Sequence, residues 1–155
     1  MLTSILILMI LIKFLNNQEA KDFILSESKV NVIVVDWTKM AASDNYLDVQ
    51  PKAPVVGAMV AHLINRLVTL THAFYHDFHC IGHSLGAHIC GFVGRALGQN
   101  KLAMITGLDP SGLGYEGLPK DLPSRPVNSS DANLVLILHT SAGMQLPNGV
   151  EVFSH

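Results

Sequence analysis

Charge is scarce in this sequence. Asp, Glu, Lys and Arg together make up 14% of 155 residues, against about 25% in an ordinary soluble domain. Neither sign dominates, since ten basic and twelve acidic residues leave a formal charge of −2. Recognition of nucleic acid needs a basic face, so no nucleic-acid partner is expected. Nor is there an acidic or basic tail. Cysteine is nearly missing, and Cys80 and Cys90 alone are too few to staple a small disulfide scaffold. A membrane-length apolar run is lacking as well. The longest, residues 5–12, has eight residues, where a span needs about 20, so no transmembrane span is expected. The polar composition of a disordered chain is also absent, because 49% of the residues are hydrophobic. A compact, apolar, globular domain is left.

Residues 1–20 carry the apolar run close behind Met1, which resembles the core of a signal peptide. We expect a hydrophobic leader over 1–20 and a domain over 21–155, with the secretory, oxidising compartment that a leader implies. Lys13 after the run and the poor cleavage sequence at Gln18, Glu19 and Ala20 fit that reading imperfectly, and a buried helix or strand is its alternative. In such a compartment Asn128-Ser129-Ser130 is a glycosylation sequon of low specificity.

The rest alternates between two periodicities. Residues 31–37 (NVIVVDW) form a continuous β-branched run, as in a strand buried on both faces. Residues 55–70 place apolar side chains at helical spacing. Strands are expected at 78–81, 101–108 and 134–138, and a helix at 84–97 closed by Gly98. Gly, Pro and Ser make 112–130 a loop. Strands alternating with helices imply an α/β fold with a mostly parallel sheet covered on both faces.

Gly82-His83-Ser84-Leu85-Gly86 reads G-x-S-x-G. The motif works only as strand, sharp turn and helix, which lift the Ser hydroxyl above the strand end. Three fixed residues would match by chance in about one chain of this length in twenty. Here the pattern sits where an expected strand meets an expected helix. Ser84 is therefore the candidate nucleophile. Gly82 and Gly86 remove side chains where strand and helix crowd, and the Leu85 N–H stands at the positive helix end, suited to an oxyanion. A carboxylate should follow the Ser in the chain. Asp109 does so directly after the strand at 101–108, although an Asp before Pro110 also suits a plain turn.

The runs HCIGHSLGAHICGFVG (79–94) and ITGLDP (105–110) resemble the animal pancreatic-lipase family of neutral lipases and sn-1 phospholipases, particularly its insect members. Residues 31–37, 55–64 (VVGAMVAHLI) and 131–140 (DANLVLILHT) agree in order, so the resemblance covers 31–140. It implies a partial α/β-hydrolase fold with a nucleophile elbow and a carboxylic ester hydrolase acting on lipid esters at a lipid–water interface. It also implies a secreted protein with no cofactor, in which Ser84 is the nucleophile and Asp109 the triad acid. The alternative is a non-catalytic lipid carrier of the yolk-protein kind, against which the retained Ser84 argues. The family's catalytic His lies beyond this stretch. Downstream of Asp109 stand only His139, which matches a non-catalytic family position, and His155. The family's His-Gly turn ahead of the NVIVVDW strand is not found either. The resemblance thus implies a catalytic domain short at both ends, with little activity of its own.

Other constellations are read as structural. His72, His76 and His79 lack the Glu that a zinc-hydrolase helix requires. His83 and His88 belong to the elbow and its helix and should serve as packing or polar support. Asp36 follows no dinucleotide-binding glycine pattern, and Trp37 is expected in the core. Cys80 and Cys90 flank the elbow and are expected as two buried free thiols, although a helix folding back on its strand could bring them within bonding distance. Some relatives bind calcium in the loop before the strand that ends at His139. Only Asp131 is a clear candidate ligand there, and no metal is expected.

Overall fold

The computed structural model describes residues 6–10, 17–43, 45–115 and 124–140. Five parallel strands form one sheet. They are β1 (Leu6–Ile10), β2 (Asn31–Val34), β3 (Phe78–His83), β4 (Met104–Leu108) and β5 (Leu134–Leu138), in the order β2-β1-β3-β4-β5. Helix α1 (Asn17–Glu27) links β1 to β2. A short α2 (Tyr46–Val49) and the long α3 (Ala53–Leu70) lead to β3, and α4 (Leu85–Leu97) links β3 to β4.

Leu6–Ile10 falls within the stretch read from sequence as a leader. Here it is β1, paired on both sides, with Leu6 to Met9 beside Asn31 to Val34 and Leu6 to Ile10 beside Phe78 to Gly82. The strand expected over 31–37 ends at Val34, because its ladder with β1 ends at the Met9–Val34 pair. Trp37 lies beyond it in a turn and is buried in the core, as expected.

Handedness sets the layers. The chain steps from β1 to β2 in one direction and returns past β1 to β3. Right-handed crossovers therefore put α1 on one face and α3 and α4 on the other. The main core lies between the sheet and α3/α4, around Val56, Val60, Ile64, Phe78, Ile89 and Ile105. Among the described residues, Tyr46–Leu70 is the one helical stretch long and apolar enough to cross a membrane. Its buried residues, such as Val60 and Ile64, pack within this core. Cover on both faces, expected from sequence, is incomplete. Helix α1 lies mainly against β2, and Leu134, Leu136 and Leu138 of β5 are 41–56% exposed.

Candidate functional site

The elbow forms because three residues solve one steric problem. Strand β3 runs straight into α4 with Ser84 as the only residue between them. Reversing direction in one residue forces Ser84 to φ 54° and ψ −119°. Such backbone costs on the order of 1–3 kcal/mol and persists only where neighbours fix it. Strand and helix must then touch. A Cβ on Gly82 would lie 2.2 Å from the Gly86 carbonyl oxygen, and one on Gly86 would lie 2.0 Å from the Ile10 carbonyl oxygen. Only glycine fits at either position.

The Ser84 N–H donates to the Leu108 carbonyl at 2.8 Å, which ties the turn to the end of β4. Ser84 caps α4 with its backbone, and its side chain makes no cap hydrogen bond. The Leu85 N–H opens the helix and has no partner among the described residues. Unpaired N–H groups at a helix start attract negative charge.

Asp109 stands one strand over. Its N–H donates to the Leu138 carbonyl at 2.8 Å, and its φ is 42°. Its carboxylate accepts from the N–H and the hydroxyl of Thr140, just past β5. His139 Nδ1 lies 3.7 Å from the same carboxylate, too far for a hydrogen bond, and has no hydrogen-bond partner among the described residues. Ser84, Asp109 and His139 thus sit at the ends of three adjacent strands, with Asp109 in the middle. A Ser-His-Asp triad needs the His between Ser and Asp, bonded to both. No described histidine is hydrogen-bonded to Ser84. His155 lies outside the described residues.

His88 lies one helical turn past the elbow and is 2% exposed. Its Nδ1 accepts the Val127 N–H at 3.2 Å, so the proton sits on Nε2, which donates to the Ser111 carbonyl at 2.7 Å. The ring stacks on Tyr115 with centroids 3.8 Å apart. Burial is the main reason its pKa falls to about 4; Arg95 adds to the drop, and the Ser111 hydrogen bond opposes it. His79 instead bonds the Thr106 hydroxyl on β4 at 2.8 Å, and burial lowers its pKa too. His76 stacks on Phe74.

Asp131 is 1% exposed and fully engaged. Arg95 donates to it at 2.7 Å, Arg125 at 2.6 and 3.2 Å, and the Asn128 N–H at 2.9 Å. Two guanidinium groups on one carboxylate leave no oxygen open to a cation. This donor set does not fit calcium. Asn128 caps the neighbouring turn, its Oδ1 accepting from the Ser130 N–H at 3.0 Å.

The cysteines correct one expectation. Cys80 and Cys90 are joined as a disulfide, with Cα atoms 5.8 Å apart. Sequence reading missed this because pairing depends on which way each side chain points. Cys80 lies on the face of β3 that meets α4, and Cys90 turns back toward it. Thr140, Arg95 and Arg125 were missed as well, since nothing local marks a side chain whose partner is 6 to 36 residues away.

Comparison with known proteins gives a consistent picture. The family profile described as Lipase matches residues 13–152. Pancreatic lipase-related protein 2 of Rattus norvegicus is 39% identical over 119 residues, 77% of this chain and 24% of that protein. The Mus musculus protein named inactive pancreatic lipase-related protein 1 is 41% identical over 120 residues, again 77% and 24%. Hepatic triacylglycerol lipase of Mus musculus is 40% identical over 112 residues, 72% and 21%. The chain spans about a quarter of the length of the curated relatives it matches.

Proposed function

The chain belongs to the lipase family, and from that premise we propose that it carries the acyl-transfer part of a serine hydrolase of lipid esters. Ser84 Oγ attacks the acyl carbonyl and forms the ester bond of an acyl-enzyme. The Leu85 N–H donates to the carbonyl oxygen as it becomes negative. The Ser proton passes to a base and then to the departing alcohol. Water hydrolyses the acyl-enzyme in the reverse sequence. Asp109 is the acid that orients the base histidine. Turnover needs that histidine next to Ser84, and without it a triad enzyme keeps only the rate that oxyanion stabilisation and binding provide.

The observation that carries the reading is the Ser84 turn itself. A residue at φ 54° between strand and helix is costly, and it sets the hydroxyl beside an unpaired helix N–H. A lipid substrate is supported by the names of the relatives, which include triacylglycerol lipases. Exposed Leu138 accepts the Asp109 N–H at its carbonyl, and exposed Leu47 neighbours Tyr46, whose hydroxyl bonds that of Ser111 at 2.8 Å. Secretion is supported by the Cys80–Cys90 bond, which persists in oxidising compartments.

A nitrophenyl butyrate assay with intact-mass detection tests the proposal. The expected result is one equivalent of nitrophenol, an acyl adduct on the protein and slow release, all lost in Ser84→Ala. Co-purified lipid with no acyl adduct would support the carrier reading instead.

A further inference from the structure

We propose that the Cys80–Cys90 disulfide is a positioning element that fixes the reactive geometry of Ser84. This inference rests on Ser84 being the nucleophile. The bond closes a covalent ring around the elbow. That ring contains the last residues of β3, Ser84 and the first residues of α4. Both sulfur-bearing residues are fully buried, on the face where strand and helix pack.

The elbow has few other ties across that seam. Among the described residues, no side-chain hydrogen bond or ion pair joins β3 to α4. His79 bonds β4, while the polar side chains of α4 reach outward. His88 goes to Ser111 and Val127, and Arg95 goes to Asp131 and the Arg125 carbonyl. Packing at Gly82 sets how closely β3 and α4 approach near the turn, and Gly86 sets the approach of α4 to Ile10 of β1. Apolar packing of α4 on the sheet and on α3 holds the helix further along, without a directional tie to β3. The disulfide supplies a second fixed point, four residues before and six residues after Ser84. Together the two points determine where the Ser84 hydroxyl and the Leu85 N–H stand relative to each other. A displacement of about 1 Å between reacting groups can cost about a hundredfold in rate.

The double variant Cys80→Ala/Cys90→Ala tests this against a purely stabilising role. The readout is the second-order rate of labelling by a fluorophosphonate, measured well below the melting temperature of every protein compared. Leu97→Ala, at the far end of α4, is the control that lowers stability and keeps the bond. Cys80→Val/Cys90→Ala refills part of the space and serves if the first variant does not fold. The expected result is labelling slowed at least tenfold in the disulfide variants and less than twofold in Leu97→Ala. Equal labelling of wild type and disulfide variants would overturn the positioning role and leave the nucleophile standing. No labelling of wild-type Ser84 would overturn the nucleophile, and the positioning role with it.

Discussion

Mild acid should lower the stability of the fold that carries the elbow, and His88 is where it acts. In the folded protein its pKa is about 4, whereas an unfolded chain returns it to about 6.5. At pH 7 the imidazole is neutral in both states and costs nothing. As pH falls through 6.5, the unfolded chain takes up a proton and the folded one does not, so folding loses stability. The loss runs at about 1.4 kcal/mol per pH unit and stops near pH 4, for a total of about 3 kcal/mol. The geometry gives the same sign. A proton on Nδ1 would face the Val127 N–H, donor against donor. His88→Phe keeps the stacking on Tyr115 and removes both hydrogen bonds. It should be less stable than wild type at pH 7 by about 2–4 kcal/mol, the cost of leaving the Val127 N–H and the Ser111 carbonyl without partners. Urea denaturation of both proteins from pH 7.5 to 4.5 is the assay. Carboxylates titrate alike in the two proteins, so the wild-type advantage should shrink by about 3 kcal/mol as pH falls toward 4. An advantage that stays constant with pH, or a His88 that titrates near 6.5 by NMR, would refute the reasoning.

Three further outcomes follow from the same packing. Gly86→Ala would drive a Cβ to 2.0 Å from the Ile10 carbonyl oxygen, so it should cost about 3 kcal/mol in urea denaturation and blunt phosphonate labelling. Asp131→Ala removes the one carboxylate between Arg95 and Arg125 and should cost about 3–5 kcal/mol, because two partly buried cations are left unpaired. Expression through a secretory pathway should add a glycan at Asn128, seen as a mass shift that a glycosidase removes and Asn128→Gln prevents.

The elbow was legible in the sequence because its chemistry is local. Two glycines and a serine at fixed spacing, after an apolar strand and before an apolar helix, specify one backbone path. The β5 boundaries and the helix at 55–70 were legible for a similar reason, since each is a single periodic run. Residues 6–10 were not. Eight consecutive apolar residues suit a leader or a strand alike, and the pairing of Leu6–Ile10 with β2 and β3 joins segments far apart in the chain, which local composition does not encode. The Cys80–Cys90 bond depends on side-chain direction across a turn, which spacing does not encode. Likewise, the loop before β5 offered Asp131 as a candidate cation ligand. Its carboxylate proves saturated by Arg95 and Arg125, one from a helix 36 residues earlier and one from the loop itself.

The central claim is that Ser84 is a nucleophile held ready by the fold. Treating the folded 155-residue chain with a fluorophosphonate and locating the adduct by peptide mass spectrometry tests it most directly. The account predicts one adduct, on Ser84, absent in Ser84→Ala and absent after unfolding. No adduct on this chain, under conditions that label a full-length pancreatic lipase, would contradict it.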